Sequence, residues 1–394
     1  MKILHIGKYY SPFEGGIENF LSSFLRNSAS KNLQHIVLAH DHVLCRKSKV
    51  ERFPEGTIHR SMTLFKCLFA PISPFYYSQL KSLLQTYKPD IIHVHMPNLS
   101  AFWLLFLQSH TACPLIIHWH ADVIPSIKQP FLSLAYQLYR IPEQILLKRA
   151  SAIIATSTPY LETSEPLKRW KNKSFIIPLG LNARTAPDAN SDIRLWQDDI
   201  KFRLLCVGRL TYYKGQRYLI EAVSCIPGVE LILVGTGKHH DMYKRQIKEL
   251  GVEDRVTLSG QASAEQLAYL LQTCDALCLP SIERTEAFGL VLLEAMQYAK
   301  PCICTDVTGS GMSWVVQHGE TGLVATAKSS KSLQDCIQVL NSDPELARQM
   351  GEKGKQRYIQ NFNLDQVTSK ILSLYNDYLN ITNDKPVSSN TSTP

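Results

Sequence analysis

The chain has 394 residues, 45% hydrophobic and 19% charged with 20 prolines, the composition of a globular protein of about two or three domains and not of a disordered, collagen-like or coiled-coil chain. No run approaches the ~20 uninterrupted apolar residues of a bilayer span, and the nearest, Ala101 to Leu107, reads as a core helix. The net charge of +8 is uneven: residues 1–190 hold 21 Lys and Arg against 11 Asp and Glu, so the first half suits an anionic partner (nucleic acid, a phospholipid surface or a phosphorylated substrate), unless surface charge simply drifts between domains.

The first residues, Met1 to Gly7, read as a strand running into a glycine and not as a secretory signal. Short β-rich runs then alternate with helical ones: strands at Lys2–Ile6, His35–Ala39, Ile91–His95, Leu115–His118, Ala152–Thr156 and Ser174–Ile177, with helices such as Ile17–Asn27, Tyr77–Tyr87 and Pro130–Arg149 between them. Gly180–Asp199 lacks periodicity and reads as a linker. The alternation restarts at Arg203–Val207 and runs to Gly322–Val324, with helices near Gly215–Cys225, His240–Leu250, Ala264–Gln272, Leu290–Tyr298 and Lys331–Asn341. Apolar strands each followed by a helix argue two doubly wound α/β domains with parallel sheets. Asp384–Pro394 reads as a polar disordered tail. Ten cysteines lie mostly in apolar runs without metal spacing, which fits a reducing cytoplasm.

Ligands of such domains bind beyond the carboxyl ends of strands, so residues just after strands are the candidates. Ser281–Ala299 carries Glu286 and Glu294, which one continuous helix would hold about 12 Å apart, too far to share a proton. If Glu286–Gly289 is a loop, a helix starts near Leu290 with its amides open to an anion, and Glu294 sits about one turn in among apolar neighbours. A ligand with an anionic middle and hydroxyls at both ends, a sugar nucleotide, fits; a helix cap at Glu286 and a core ion pair at Glu294 is the other reading. After Gly208 come Arg209 and Lys214-Gly215, two cations suited to a diphosphate or, equally, solvated turn charges. Gly235 follows another strand and admits close approach of a ligand to its backbone. Gly15-Gly16 opens the first helix and forms neither a dinucleotide fingerprint nor a Walker loop. His93/His95 and His118/His120 lie on one strand face each, as metal sites require, yet no carboxylate–histidine motif completes a zinc set, so polar strand-end histidines are expected and no metal.

These residues, Arg209 with Lys214, then Glu286-Ala287-Phe288-Gly289-Leu290 with Glu294, and the early Gly15-Gly16, resemble the large retaining family-four glycosyltransferases of the GT-B fold. The resemblance runs in order to about residue 380 and looks closest to bacterial mannosyl- or rhamnosyl-type enzymes of surface-polysaccharide assembly. It implies two Rossmann-like domains facing each other across a cleft: an acceptor-side domain over 1–185, a linker over 186–200, a nucleotide-sugar-binding domain over 201–360, a helix over 361–380 crossing back to the first domain, and a tail over 381–394. It also implies roles. Glu294 would hold the ribose hydroxyls and Glu286 the donor sugar, with amides around Phe288, Gly289 and Leu290 near sugar and phosphate. Arg209 and Lys214 would neutralise the diphosphate, Gly16 with Gly15 would lie near the phosphates, and His120, followed by Ala121-Asp122, would bind a sugar hydroxyl.

The function these imply is hexosyl transfer from a nucleotide-diphosphate sugar to a glycan or lipid-linked acceptor, with no metal, since no Asp-x-Asp motif is present, and no cofactor beyond the donor. Retention would come from same-face attack, the leaving phosphate taking the acceptor's proton, because no carboxylate suits the role of nucleophile. A nucleotide-sugar epimerase or phosphorylase on the same fold and a catalytically silent sugar-nucleotide-binding subunit are the alternatives. Nucleic acid is not expected as a partner, since only the basic charge would favour it. The location implied is cytoplasmic, with peripheral contact to an anionic membrane through Arg60–Leu84, where Lys66 and Lys81 interleave with Leu64, Phe65, Phe69, Phe75 and Tyr77; core filling by these aromatics is the other reading.

Overall fold

The apolar runs form parallel strands because their side chains are buried on both faces of a sheet, which leaves no room for polar alternation. The computed structural model describes residues 1–13, 15–67, 70–107, 113–123, 130–183, 195–197 and 201–383, which divide into two units. The first contains Met1–Thr156 and Ser164–Ile177 and takes back the chain from Leu364 on; the second contains Ser157–Thr163 and Pro178–Asn363. Most of the expected linker, 186–194 and 198–200, and the expected tail from 384 lie outside the described residues.

In chain order the elements are β1 (Lys2–Ile6), α1 (Gly16–Ser28), β2 (Gln34–His40), β3 (Lys49–Phe53), β4 (Gly56–Ser61), β5 (Phe65–Cys67), β6 (Ala70–Ile72), α2 (Tyr76–Tyr87), β7 (Ile91–Met96), β8 (Leu115–Trp119), α3 (Pro130–Arg149), β9 (Ala152–Ala155), α4 (Thr158–Thr163) and β10 (Ser174–Ile176). The first unit's sheet runs β10-β9-β8-β7-β1-β2-β4-β3, so strand order reverses between β7 and β1. All neighbours are parallel except β3 and β4. The edge strand β3 escaped sequence reading because its Lys49, Glu51 and Arg52 suit a charged sheet edge and show no apolar run. Leu99–Phe106 is not a core helix: it forms 3-10 turns in which Trp103 and Phe106 are exposed, while Ala101, Phe102 and Leu104 face inward.

The second unit continues with β11 (Phe202–Val207), α5 (Gln216–Ser224), β12 (Val229–Val234), α6 (His240–Glu249), β13 (Val256–Gly260), α7 (Ala264–Thr273), β14 (Ala276–Leu279), α8 (Leu290–Gln297), β15 (Cys302–Thr305), α9 (Met312–Val315), β16 (Gly322–Ala325), α10 (Ser330–Ser342) and α11 (Pro344–Arg357). Its sheet is wholly parallel in the order β13-β12-β11-β14-β15-β16, reversing between β11 and β14. Leu204, Leu231 and Ile303 from its strands and Leu219, Val223 and Ile337 from its helices form one buried core; each such side chain contributes about 1.5–3 kcal/mol. Arg284 donates to the carbonyls of Thr163 (2.8 Å) and Tyr160 (2.9 Å), which ties α4 into this unit.

The last helix, α12 (Leu364–Asn383), belongs to the first unit, where Asn27 of α1 donates to Asp365 at 2.7 Å and Tyr375 meets His93 at 2.5 Å. It extends to Asn383, three residues beyond the expected end. All ten cysteines are free thiols, with Cys302 and Cys304 buried in β15.

Candidate active site

In a doubly wound sheet the crevice for a ligand opens where strand order reverses, between the loops leaving the two flanking strands. In the second unit those loops follow β11 and β14, and they carry Arg209, Lys214 and Glu286. Gly215 lets them meet: its φ is +68°, and a side chain there would strike the Pro280 carbonyl. Lys214 Nζ lies 2.5 Å from Glu286 Oε2, with the two side chains only 12% and 13% exposed. Burial disfavours the Lys214 charge, but Glu286, helped by Tyr213 and Cys206, outweighs it and holds the ammonium above the ordinary lysine pKa.

Glu286 is further fixed by hydroxyls that spacing rules do not reveal. Ser281 Oγ donates to Glu286 Oε2 at 3.4 Å, Ser310 Oγ donates to the Glu286 carbonyl at 2.5 Å, and the Thr305 hydroxyl donates to the Ser281 carbonyl. Their one legible signal is position, since Ser281 and Thr305 stand at or just past the ends of β14 and β15.

Arg209 and Lys214 are not equivalent. Arg209 is exposed and donates from Nη2 to Tyr213 Oη at 3.1 Å, while Lys214 Nζ lies 5.8 Å from the centroid of the same ring. Lys214 is already matched by a carboxylate, so Arg209 is the outward-facing cation of the two.

Glu286 to Gly289 is a loop, and α8 starts at Leu290 behind Gly289. Glu294 is its fifth residue, about 6 Å along the axis and half-buried. The two glutamates therefore stand in different elements and do not form a shared carboxyl pair. Phe288 buries its ring near Trp314 and Phe362, at centroid distances of 6.4 and 6.0 Å, so its side chain is a core element of the second unit. Gly235 has an explanation within the chain: a Cβ there would collide with the Gly208 carbonyl, so the glycine lets the ends of β11 and β12 close on each other.

In the first unit Gly15 caps α1 in extended geometry and Gly16 is its first residue. Glu18 in the first turn is buried and folds back toward Gly15, so an anion approaching the helix start meets a carboxylate. Burial pushes the Glu18 carboxyl up, against its own amide and Lys8. Sequence reading passed over Glu18 because a first-turn acid is ordinary capping chemistry.

His95, His118 and His120 do stand at or just past strand ends, but these three and His5, His35 and His93 are all buried. Register pairs His5 with His93 and His95 with His118, and His35 lies on neighbouring β2, so strands β2, β1, β7 and β8 gather them on one face under Phe20 and Phe24 of α1. Nitrogens of His5, His93 and His95, and of His95, His118 and His120, lie within 4.8 Å of one another. Such groups can hold a metal ion, yet neither includes a carboxylate, and His5 and His95 already use both ring nitrogens in hydrogen bonds. His120 joins His95 through Nε2 at 3.0 Å. Asp122 secures the loop beyond it, accepting from Trp119 Nε1 and Ser164 Oγ, both at 2.7 Å.

Comparison with known proteins agrees with this geometry. The family model described as Glycosyltransferase Family 4 matches residues 14–184, and that described as Glycosyl transferases group 1 matches residues 194–357. The chain is 26% identical over 383 residues to the O-antigen chain mannosyltransferase C of Escherichia coli, covering 96% of this chain and 99% of that protein. It is 29% identical over 371 residues to the D-rhamnosyltransferase WbpZ of Pseudomonas aeruginosa, covering 92% of each. Among solved structures, a sucrose-phosphate synthase from Thermosynechococcus elongatus superposes with a TM-score of 0.80 at 23% identity, over 96% of this chain and 99% of that one. HepE of Anabaena, in complex with UDP, superposes with a TM-score of 0.73 at 20% identity, over 96% and 100%. Likeness at that identity speaks for the fold, which is GT-B. With both halves matched in order around these two sheets, the chain belongs to glycosyltransferase family 4.

Proposed function

We propose that this protein is a retaining, metal-independent hexosyltransferase that moves a mannose- or rhamnose-type sugar from a nucleotide-diphosphate donor to a glycan or lipid-linked acceptor in surface-polysaccharide assembly, such as that of lipopolysaccharide. The observation that carries the reading is the Lys214–Glu286 pair at the reversal of the second sheet, with exposed Arg209 in the same loop as Lys214 and α8 starting after the loop of Glu286. The names of the mannosyl- and rhamnosyltransferase relatives support the sugar and the setting.

Arg209 takes the outer charge of the diphosphate, and the start of α8 adds amide dipoles where negative charge grows on the leaving group. Lys214, held in place by Glu286, lends its remaining N–H bonds to the same charge. Glu286 holds a hydroxyl of the donor sugar, Glu294 the ribose hydroxyls, and His120 a further sugar hydroxyl. Gly15 and Gly16 let backbone approach the donor. The bond from the anomeric carbon to the phosphate oxygen breaks, the acceptor oxygen bonds to that carbon on the same face, and its proton passes to the departing phosphate. The donor is the only small molecule required.

The test is a melting-point screen of the purified protein against UDP-, GDP-, ADP- and dTDP-sugars, followed by transfer assays with lipid-linked acceptors. A nucleotide sugar that binds the native state raises the melting point. No response to any of the four classes sinks the proposal.

We assign the membrane contact to the first unit. None of its described helices is long and apolar enough to span a bilayer. Within Arg60–Leu84 the side chains separate: Leu64, Phe65 and Phe75 are exposed beside exposed Lys66 and Lys81, whereas Tyr76, Leu80, Leu83 and Leu84 fill the core. Tyr77 is half-buried against Trp103, Arg60 is buried on Glu51 at 2.8 Å, and Phe69 lies outside the described residues. Exposed aromatic and basic groups together suit the headgroup region of an anionic leaflet, which supports a peripheral position on the cytoplasmic face of the membrane.

A further inference from the structure

The buried histidines form a directed row. Ser28 Oγ meets His35 Nε2 at 2.9 Å, His35 Nδ1 meets His5 Nε2 at 3.0 Å, His5 Nδ1 meets His95 Nε2 at 3.5 Å, and His95 Nδ1 meets His120 Nε2 at 3.0 Å. Each neutral imidazole has one donor and one acceptor nitrogen, so such a row has only two self-consistent states, with every proton on Nε2 or every proton on Nδ1. Ser28 decides between them. Its oxygen lies 2.6 Å from the Phe24 carbonyl oxygen, a separation that two oxygens keep only with a proton between them. The single hydroxyl proton is therefore committed to Phe24, and Ser28 can only accept from His35 Nε2. The requirement passes along the row and ends at His120 Nδ1, which is buried and has no partner among the described residues.

We infer that Ser28, His35, His5 and His95 are positioning residues that fix His120 in its Nε2–H form, so that Nδ1 is an obligate hydrogen-bond acceptor toward the substrate. This rests on the proposed placement of His120 at a sugar hydroxyl, and it deepens that reading. A bare Nδ1 takes a hydroxyl or amide proton and repels a carboxylate, so the sugar class admitted at this position is a neutral hexose bearing a free hydroxyl and not a uronic acid. Burial keeps the row uncharged, which preserves the alternation.

The experiment is imidazole 15N spectroscopy of the full chain with labelled histidine, without substrate, because the two nitrogens resonate far apart when one is protonated and the other bare. Signals are assigned by single His→Gln changes. In the unaltered protein His5, His35, His95 and His120 should all show protonated Nε2 and bare Nδ1. Ser28→Ala removes the acceptor for His35, so either state then leaves one buried N–H without a partner, at His35 Nε2 or at His120 Nδ1, and His120 should lose its single pattern and show protonation shared between its two nitrogens. Ser28→Thr should restore the first pattern. A protonated Nδ1 at His120 in the unaltered protein overturns the inference, and that measurement stands even if Ser28→Ala fails to fold. A folded Ser28→Ala protein with an unchanged His120 signal overturns it too. Failure of the glycosyltransferase reading would appear elsewhere, as indifference to every nucleotide sugar while the imidazole pattern remains as described.

Discussion

Lys214 and Glu286 join, over 2.5 Å, the two loops that leave the second sheet on either side of its reversal. The contact makes one ion pair serve two ends, closing the loops on each other and presenting Glu286 in a fixed orientation. Both side chains are mostly shielded, so removing either partner strands a charge and should cost about 3–5 kcal/mol. Lys214→Met and Glu286→Gln should each lower the urea midpoint, and the double substitution should recover part of the loss. Equal additivity of the two losses would show the pair to be energetically idle. Transfer should fall in both single variants, with Glu286→Gln acting mainly on turnover.

Glu294 stands in the first turns of α8, apart from Glu286, and its loss should be felt in binding. Glu294→Gln should weaken nucleotide affinity by roughly 10–200-fold, the equivalent of about 1.5–3 kcal/mol for one charged hydrogen bond, with little change in melting point. Calorimetric titration with the responding nucleotide sugar reads this directly; an unchanged affinity rejects the assignment.

Transfer should survive EDTA and dialysis if, as proposed, Arg209, Lys214 and the start of α8 bring to the diphosphate the positive charge that a metal would otherwise supply. Activity lost to chelator and restored by magnesium, manganese or zinc would refute this and turn attention to the buried histidine groups.

Acid should unfold the protein through its core histidines. Burial holds His35 down at about 4 and His95 at about 3, and burial with Lys8 nearby holds His40 at about 4. In the unfolded chain each titrates near 6.5. Below that pH the unfolded state binds the extra protons, so stability is whole above 6.5 and declines as the pH falls toward and through the folded values. Each histidine contributes a slope of roughly 1.4 kcal/mol per pH unit. Urea midpoints measured from pH 7.5 to 4.5 should drop steeply below about 6.5; a flat profile would mean that these imidazoles are not held neutral.

The first unit should bring the protein to anionic but not neutral vesicles in a flotation assay, with attachment weakened by raised salt. Each basic residue near the surface adds about 1 kcal/mol, so a few suffice for reversible binding. Phe65→Ser with Phe75→Ser should reduce flotation while leaving the melting point nearly unchanged, since both rings are exposed. Equal behaviour toward both vesicle types would make the charge asymmetry incidental.

By itself the sequence determined the class of fold and supplied the residues from which the site is proposed. Continuous apolar runs such as Val229–Val234 admit only strands covered on both faces, and Arg209, Lys214 and Glu286 were legible as residues of the segments that follow strands. Periodicity missed β3, whose charged residues hide its strand character, and Ala101–Leu107 was misjudged as a core helix, since composition does not say which side of an apolar run faces water. Only the tertiary structure decided that Lys214 belongs to Glu286 and not to Arg209, that Gly235 yields to the Gly208 backbone, and that histidines scattered from 5 to 120 meet in one buried row. Those are relations between residues distant in the chain, set by which strands lie side by side, and local pattern carries no record of strand order.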